Sequence, residues 1–289
     1  MKFSIVIPNL HSPIVDQTIN ALLKQRTSSD YEIIIVGMDQ YNLIAESPQV
    51  KAIHTEKPVW PSVARNIGLK MAKGEIICFL DSDCIPSADW LRIIEERFQD
   101  PKVCVLGGGV DSSQPEFWPV CNHISSFHEY LVSMPAGTRQ ELPSLNLMIR
   151  KSALDQAGGF DESRQIAEDS DLTTRLRQLG YALNFEPRAG INHLPDRRDA
   201  TSVIQHAWTH GYHSIKVDPK WRAFLNLPLP FQHRWLLLLT SPVIALYVTL
   251  GIYRADRKVW RRWYVAPAIF VLKMAYCWGA AEKMRTNAG

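Results

Sequence analysis

Two carboxylates, Asp81 and Asp83, follow directly after the predicted strand Glu75–Leu80, whose apolar run Ile76–Leu80 indicates burial. In an open parallel sheet, ligands bind at the carboxyl ends of the strands. Carboxylate oxygens this close in sequence can approach one hard cation such as Mg²⁺ or Mn²⁺, whose remaining ligands come from water and substrate phosphates. Because Asp and Ser also favour turns, the Asp-Ser-Asp pattern alone leaves a simple turn as the alternative.

A second group of carboxylates, Glu168, Asp169 and Asp171, stands where a helix over residues 168–179 is predicted to begin. The helix dipole favours acidic side chains at this position, and it explains at least one of them without a catalytic role. Asp169 also has the chemistry of a general base, and a second carboxylate beside it can raise its pKa. The pattern therefore fits both a helix cap and an acid–base group.

Histidines are further candidate ligands. His193 follows a predicted strand, and its neutral imidazole can complete a metal site that two carboxylates begin. The alternative is a structural histidine. His206, His210 and His213 share one face of a helix, but Gly211 interrupts that helix and no acid completes the set. A structural or acceptor-facing role is favoured over a metal site there.

Alternating strand and helix patterns predict the elements that position these groups. The predicted strands are Phe3–Ile7, stopped by Pro8, then Tyr31–Val36, Glu75–Leu80, Val103–Leu106, Ser144–Ile149 and Tyr181–Phe185. The predicted helices lie near residues 15–23, 63–72, 88–98 and 168–179. This order, with strands apolar on both faces, is typical of an α/β protein in which helices cover a parallel sheet. Residues 111–140 give no clear pattern.

Two long apolar runs, Trp235–Tyr253 and Trp263–Ala281, dominate the C-terminal part. Each has 19 residues, close to the ~20 that span a bilayer as a helix. The basic segment between them, Arg254–Arg262, carries five basic residues, and flanking aromatic residues suit a membrane interface. Three interpretations stay open: two spanning helices, two buried helices of a globular domain, or helices in the membrane interface with the basic segment on anionic headgroups.

Net charge separates the same two parts of the chain. Residues 1–195 carry 18 basic and 24 acidic side chains, a net of −6, whereas residues 196–289 carry 14 and 5, a net of +9. Such an asymmetry indicates that the C-terminal part meets an anionic partner. Its basic residues are interleaved with long apolar runs, which favours lipid headgroups and disfavours nucleic acid.

Composition excludes several other classes of protein. A hydrophobic content of 46% excludes a disordered chain. The five scattered cysteines form neither a disulfide framework nor a zinc ribbon, and they predict reduced thiols. The apolar run at the N-terminus is too short for a signal peptide, so a cytosolic catalytic body is expected.

Six motifs in order resemble those of a family 2 glycosyltransferase with the A-type, nucleotide-sugar-binding fold. They are Ser4–Pro8, the A-R-N-x-G sequence Ala64–Gly68, the strand and acidic motif Gly74–Asp83, Leu145–Lys151, Gly158–Glu162 and Glu168–Leu172. The resemblance covers about residues 3–215, and the common order makes these short motifs specific. It implies an α/β fold with a mostly parallel central sheet flanked by helices in residues 1–218, followed by a helical, membrane-associated section in residues 219–289.

The resemblance also implies roles for the candidate residues. Asp169, with Glu168 beside it, would be the catalytic base. Asp83 and His193 would hold a divalent cation, Mg²⁺ or Mn²⁺, and Asp81 would join them, in part through the ribose of the nucleotide. The residues expected to contact the nucleotide-sugar are Pro8, Asp39, Arg65, Asp81, Ser82, Asn146 and His210. The turn Gly158–Phe160 would help to shape the sugar and acceptor site.

The chain departs from the family pattern at two places. Relatives carry one or two acids right after the second strand, where the acids contact the nucleotide base. Here Gly37 and Met38 stand there, so base contact shifts to Asp39 or base selectivity differs. The sequence Gln232–Trp235 is one residue shorter than the Q-x-x-R-W motif of processive synthases, which favours a single sugar addition.

The function that the resemblance implies is metal-dependent, inverting transfer of a sugar from a nucleoside-diphosphate sugar to a hydroxyl of a glycan or lipid-linked acceptor. The expected place is the cytoplasmic side of the cell membrane, in glycolipid, polysaccharide or cell-envelope glycan assembly. One alternative is a nucleotidyltransferase that makes sugar nucleotides, although the loop Asn9–Pro13 lacks the Gly and Lys of a phosphate loop. The other is a non-catalytic nucleotide-sugar-binding membrane protein, which the intact Asp83 and Asp169 disfavour.

Overall fold

The computed structural model describes residues 1–286, so the last three residues of the predicted section 219–289 lie outside the described residues. The strands are β1 (Phe3–Leu10), β2 (Tyr31–Met38), β3 (Val50–His54), β4 (Ile76–Leu80), β5 (Cys84–Pro86), β6 (Val105–Asp111), β7 (Gly137–Thr138), β8 (Asn146–Arg150) and β9 (Leu183–His193). The α-helices are α1 (Val15–Leu23), α2 (Pro61–Met71), α3 (Trp90–Phe98), α4 (Phe117–Phe127), α5 (Lys151–Ala157), α6 (Glu168–Gln178), α7 (Ala200–Tyr212), α8 (Arg222–Leu225), α9 (Arg234–Ala255) and α10 (Ala266–Thr286).

The chain forms two compact units. The first contains residues 1–111 and 135–194, and the second contains residues 112–134 and the chain from residue 195 onward. By packing, α4 and α7 therefore belong with the C-terminal helices. The boundary at residue 218 that the resemblance implies stays a prediction as a functional boundary.

The first unit is built on a mixed sheet in the order β3-β2-β1-β4-β8-β6-β9-β5, with β7 paired to β9. The block β3-β2-β1-β4 is parallel, and β8 runs antiparallel between β4 and β6. The strands β1 and β4 are almost entirely buried, as their continuous apolar runs predict. Helix α2 packs on β1 and β2, and α3 packs on β9. The predicted α/β sheet covered by helices is thus confirmed.

The structure differs from the predicted elements at the strand ends. Pro8 does not stop β1, which continues to Leu10. The pairing of β1 with β4 ends at Val6, so Pro8 lies beyond that ladder and its missing N–H costs no hydrogen bond there. Strand β9 runs on to His193, well past the predicted end at Phe185. Strands β3 and β5 escaped prediction because β3 mixes polar and apolar residues without a continuous apolar run, and β5 has only three residues.

The second unit is helical, and it also gives structure to residues that showed no sequence pattern. One buried cluster joins α4, α7, α9 and α10 through Val120, Ile124, Val203, Ile252, Ile269 and Leu272. Helix α4 therefore takes its core from residues far away in the sequence. A chain shortened to end near residue 230 would expose this core of α4 to water.

Two helical segments are long and apolar enough to cross a membrane by length and composition. They are Arg234–Ala255, with a mean hydropathy of 2.0, and Val259–Thr286, with 1.3. In the most apolar stretch of the first segment, 28% of the residues are buried in the protein, and in that of the second segment 50% are buried. Helix α9 is therefore mostly exposed, which argues against its interpretation as a core helix of a soluble domain.

Candidate active site

The acidic motif lies in a tight turn at the carboxyl end of β4. The N–H of Cys84 donates to the carbonyl of Asp81 at 3.1 Å and closes the turn. The carbonyl of Ser82 accepts from the hydroxyls of Ser12, at 3.2 Å, and Thr18, at 3.0 Å, so the loop after β1 and helix α1 hold the turn in place. The side chains of Asp81 and Asp83 stay about one-third exposed. The turn therefore presents both carboxylates at the sheet edge, as the sequence predicts.

Strand β9 brings His193 to Asp83. Residue 193 pairs with Cys84 across the antiparallel β5–β9 ladder, and the N–H of Leu194 donates to the carbonyl of Asp83 at 2.9 Å. His193 Nε2 lies 3.6 Å from Asp83 Oδ2. One cation can bridge two ligand atoms this far apart, because each metal–ligand bond is about 2.0–2.2 Å long. The two predicted ligands are thus placed together, while their role as ligands stays a prediction.

Cys84 completes the group of potential ligand atoms, which lie within 4.8 Å of one another. Apart from its place directly after Asp83, no feature of the sequence indicated a role for Cys84 here. Burial raises the pKa of the Cys84 thiol well above its ordinary value, and the charges of Asp83 and Asp81 raise it further. A protonated thiol is a poor ligand for a hard cation. Cys84 is therefore a packing residue of this site.

Asp81 faces away from that group and toward a buried arginine. Arg65 on α2 is 2% exposed, and its guanidinium donates to Asp81 Oδ1 at 2.7 Å and to Glu168 Oε1 at 2.6 Å. Asp81 is absent from the cluster of potential metal ligands found among the described residues. In this geometry Asp81 is an ion-pair partner of Arg65, and its predicted direct metal contact has no geometric support.

The Arg65 bridge changes the acid–base properties of both ends of the site. Burial alone would lower the pKa of Arg65, but the charges of Asp81 and Glu168 outweigh it, so the pKa stands above its ordinary value. Burial raises the pKa of Glu168 to about 7, the charge of Asp169 adds to the rise, and Arg65 opposes it. Arg65 thus stays charged, and it ties the start of α6 to the end of β4.

Asp169 is the partly exposed acid at the start of α6. Its Oδ2 accepts from the N–H of Ser144 at 3.0 Å and lies 3.4 Å from the Ser144 hydroxyl. Ala167, just before the helix, has φ = 62°, a left-handed conformation that costs a non-glycine residue about 1 kcal/mol or more. Such strain often occurs where a backbone must aim functional side chains. The side chain of Asp169 is therefore held in one orientation at the surface of the site.

Asp171 has a different environment, and this decides between the candidate bases. Its side chain is completely buried and lies between Arg175 Nε at 2.8 Å and Arg164 Nε at 3.2 Å. The same Arg175 guanidinium donates to the carbonyl of Gly159 at 2.8 Å. Asp171 therefore stabilises the start of α6 and the neighbouring turn, and it has no access to a substrate hydroxyl.

The turn Gly158–Phe160 is fixed by Asn66 of the A-R-N-x-G sequence. The Asn66 amide accepts from the N–H of Phe160 at 3.0 Å and donates to its carbonyl at 2.9 Å. Gly158 and Gly159 have φ of 79° and 72°, which side chains disfavour. The Phe160 ring packs against Phe79, and the Arg65 guanidinium lies 5.4 Å from its centroid. The turn and the Arg65 bridge therefore form one rigid assembly.

Asn146 does not lie at the surface of the site. It is fully buried, its amide donates to the carbonyls of Gly109 and Ala189 at 3.1 and 2.9 Å, and it accepts from Trp90 Nε1 at 2.9 Å. These bonds use both amide hydrogens and the oxygen. The predicted contact of Asn146 with the donor is therefore unsupported, because the residue ties strands together inside the sheet.

The nucleotide-base side of the predicted site lies at the ends of β1 and β2. Asp39 Oδ2 accepts from the N–H of Ile44 at 2.9 Å, while Asp39 Oδ1 is buried without a hydrogen-bond partner among the described residues. A side chain at position 37 would clash, because a Cβ there would stand 1.9 Å from the carbonyl oxygen of Asn9. This close contact explains why a glycine replaces the usual acid. Pro8 lies beside it, half-buried and in register with Val36.

Ser82 and His210 are the two remaining residues that were predicted to contact the nucleotide-sugar. Ser82 takes part through its carbonyl, which anchors the acidic turn. His210 lies on α7 in the second unit, with its ring 4.3 Å from that of His206. Its predicted phosphate contact stays a prediction. Sequence reasoning missed the Ser144 contact to Asp169, and the only available signal was the position of Ser144 as the first residue of the predicted strand Ser144–Ile149.

Comparison with known proteins identifies the family. The sequence profile of Glycosyl transferase family 2 matches residues 4–157, so the chain belongs to this family. The match ends before Glu168, Asp169 and His193, whose assignment therefore rests on geometry.

Curated relatives and solved structures agree with this assignment. The chain is 32% identical over 151 residues to a pre-mycofactocin glycosyltransferase of Mycobacterium tuberculosis, a match that covers 50% of this chain and only 32% of that protein. It is 24% identical over 192 residues to the glycosyltransferase AglE of Haloferax volcanii, with 63% of each chain covered. The mannosyltransferase PcManGT of Pyrobaculum calidifontis, solved with GDP-Man and Mn²⁺, has a TM-score of 0.60 at 18% identity, with 100% and 88% of the two chains covered. The shared fold is that of the A-type glycosyltransferases.

Proposed function

We propose that this protein transfers one sugar from a nucleoside-diphosphate sugar to an acceptor hydroxyl, with inversion at the anomeric carbon and with the help of a divalent cation. The observation that carries the proposal is the contrast among three neighbouring acids. Glu168 is buried against Arg65 and Asp171 is buried between two arginines, which leaves Asp169 partly exposed and oriented by Ser144. Such an acid can take a proton from an acceptor.

The proposed reaction is a single in-line displacement. Asp169 accepts the proton of the acceptor hydroxyl while the hydroxyl oxygen bonds to the anomeric carbon. The bond from that carbon to the diphosphate oxygen breaks, and its electron pair leaves with the nucleoside diphosphate. An inverting glycosidase uses a second carboxylic acid to protonate its leaving group. The proposed reaction has no such step, so one carboxylate, which accepts the acceptor proton, is enough. Arg65 holds Asp81 and Glu168, and thereby fixes the sheet edge relative to α6.

Asp83 and His193 are the residues that fit a divalent cation. The carboxylate of Asp83 is one-third exposed and the imidazole Nε2 lies 3.6 Å away, while the rest of the coordination shell is left to water and the donor phosphates. When bound, Mg²⁺ or Mn²⁺ would neutralise the charge that develops on the leaving diphosphate. PcManGT, which shares the fold, was solved with Mn²⁺ and a sugar nucleotide, and this supports the proposed donor class.

The acceptor and the place of action are also proposals. A glycan or lipid-linked acceptor at the cytoplasmic side of the membrane, in assembly of glycolipid, polysaccharide or cell-envelope glycan, agrees with the exposed apolar helix α9 and the basic segment Arg254–Arg262. Single addition agrees with the incomplete Q-x-x-R-W motif. The match covers only 32% of the pre-mycofactocin glycosyltransferase and 63% of AglE. The proposal therefore includes no acceptor that is specific to either relative.

The test is a screen of sugar nucleotides with the purified full chain, which measures donor hydrolysis and donor binding with and without Mn²⁺. Asp83→Asn and His193→Gln should weaken Mn²⁺-dependent donor binding, whereas Asp155→Asn on the exposed side of α5 should not. Unchanged Mn²⁺-dependent binding in both site variants would overturn the ligand assignment. Binding without any turnover would favour the non-catalytic alternative, and formation of a sugar nucleotide from a sugar phosphate would favour the nucleotidyltransferase.

A further inference from the structure

An apolar groove lies between α7 and α10 in the second unit. Its volume is about 550 Å³, within the range of about 300–1,000 Å³ that is usual for ligand pockets. The lining consists of Thr201, Ile204, Gln205 and Trp208 from α7 and Phe270, Val271, Met274, Ala275 and Trp278 from α10. None of these described lining residues is charged. Along α10 the groove extends from residue 270 to residue 278, or about 12 Å at 1.5 Å per residue.

The groove is a consequence of where the two helices touch. A Cβ on Gly279 would stand 1.9 Å from the carbonyl oxygen of Trp208, and a Cβ on Gly211 would stand 1.9 Å from that of Tyr276. The two backbones are therefore in direct contact at the glycines. The groove lies on the N-terminal side of this contact in both helices, where large side chains replace the glycines. Its position is thus set by backbone contact, which a change of side-chain rotamer does not remove.

The rim of the groove exposes large apolar side chains. Trp208, Val271 and Trp278 are 37%, 46% and 50% exposed. The indole N–H of Trp278 lies 3.3 Å from the Ser241 hydroxyl on α9, which helps to hold the ring in place. Exposed apolar patches of this kind mark binding surfaces. The rim therefore indicates that the groove has an apolar occupant.

The surrounding surface indicates what that occupant is. Trp235, Leu239, Val243 and Tyr247 on α9 follow one another at four-residue spacing, and each is at least 69% exposed. The chain from residue 196 has a net charge of +9, which suits anionic headgroups. A peptide in the groove would lack partners for its backbone N–H and C=O groups, because the lining is almost wholly apolar. A hydrocarbon chain has no such groups.

We propose that the groove between α7 and α10 binds one hydrocarbon chain of a phospholipid from an anionic bilayer. This site goes beyond the transfer reaction proposed for the first unit, and it does not depend on the identity of donor or acceptor.

The experiment uses the full chain bound to vesicles of phosphatidylglycerol and phosphatidylethanolamine, with a trace of phospholipid that carries a diazirine in its acyl chain. After irradiation, peptide mass spectrometry locates the labelled residues. We expect labels within residues 201–208 and 270–278. Met274→Trp and Ile204→Phe each fill part of the groove and displace about two methylenes, which should lower labelling there about tenfold. Val243→Phe, a similar enlargement on the exposed face of α9, should leave groove labelling unchanged.

Three results would overturn the proposal that the groove binds lipid. Labels confined to α9, or groove labels that persist in both filled variants, would overturn the proposal. Dimers in wild-type protein that become monomers in both variants would overturn it too, because a second copy would then cover the groove. Melting temperatures near that of the wild type would show that the variants fold. Donor hydrolysis provides a separate readout, so failure of lipid labelling is distinguishable from failure of the proposed reaction.

Discussion

Charged side chains are buried in the first unit, whereas large apolar side chains are exposed in the second. Arg65 and Asp171 are each at most 2% exposed, and each lies between two groups of opposite charge. By contrast, Leu239 and Tyr247 on α9 are 78% and 75% exposed. Both arrangements are costly in an isolated soluble protein.

The difference agrees with the two proposals made above, a sugar-nucleotide site in the first unit and lipid contact in the second. Buried ion pairs at a strand end hold Glu168 and Asp171 in fixed positions, and they leave Asp169 as the acid that we propose for proton transfer. An exposed apolar helix beside a basic segment gains its stability when it contacts lipid. Four predictions test this contrast.

The largest effect is expected for the exposed acid of the first unit. Asp169→Asn should lower turnover by about 10²–10⁴-fold, because the amide cannot accept the acceptor proton. Donor binding and melting temperature should stay close to the wild type, since Asp169 is a partly exposed side chain outside the buried ion pairs. Initial rates of transfer and donor titrations measure the two effects. Full activity in this variant would remove Asp169 from the role of base.

The second prediction concerns the buried acid two residues further along α6. Asp171→Asn removes the charge that two arginines share, and an uncompensated buried charge costs about 3–5 kcal/mol. We expect a large loss in the free energy of unfolding, measured by urea denaturation. Asp155→Asn, at an exposed position on α5, is the matched control and should change stability by less than about 0.5 kcal/mol. Equal stability of both variants would show that the buried ion pairs of Asp171 do not stabilise the first unit.

The third prediction is a pH dependence that arises from Glu168. Its pKa in the folded protein is about 7, above the ordinary value of 4.5, so the folded state holds this proton more tightly than the unfolded chain. The resulting stability is fully present below about pH 4.5 and is lost as the pH rises through 7. At about 1.4 kcal/mol per pKa unit, the loss is roughly 3 kcal/mol.

Glu168→Gln should remove this dependence, because the amide does not titrate. The measurement is the free energy of unfolding of wild type and variant at pH 5 and pH 8. An unchanged difference between the two pH values in the variant would assign the dependence to another group.

The smallest effect is expected in the second unit. Arg261 is exposed in the basic segment, and one basic residue near an anionic surface contributes about 1 kcal/mol. Arg261→Gln should therefore weaken binding to phosphatidylglycerol vesicles about fivefold, as measured by co-sedimentation. Lys102→Gln, an exposed change in the first unit, is the control and should bind like the wild type. A loss of the same size on neutral phosphatidylcholine vesicles would contradict an electrostatic contribution.

The family, the α/β core and the separate character of the C-terminal part could all be predicted from the amino-acid sequence. Continuous apolar runs specify β1, β2 and β4, because a strand covered on both faces needs apolar side chains throughout. The acidic motif and the start of α6 were also recognisable, since short local patterns encode turns and helix starts. Even the glycine at position 37 was visible as a departure from the family.

Which acids are exposed and which are paired became clear only from the three-dimensional packing. Glu168, Asp169 and Asp171 look alike in the sequence, but their environments depend on Arg65, Ser144 and Arg164, which come from other segments of the chain. The partnership of Asp83 with His193 depends in the same way on β5 and β9, two strands whose pairing no local pattern records. Asn146 shows the converse, because an apparent site residue proved to be a buried link within the sheet. Burial and long-range hydrogen bonds arise when distant segments pack together, and local sequence patterns carry little information about them.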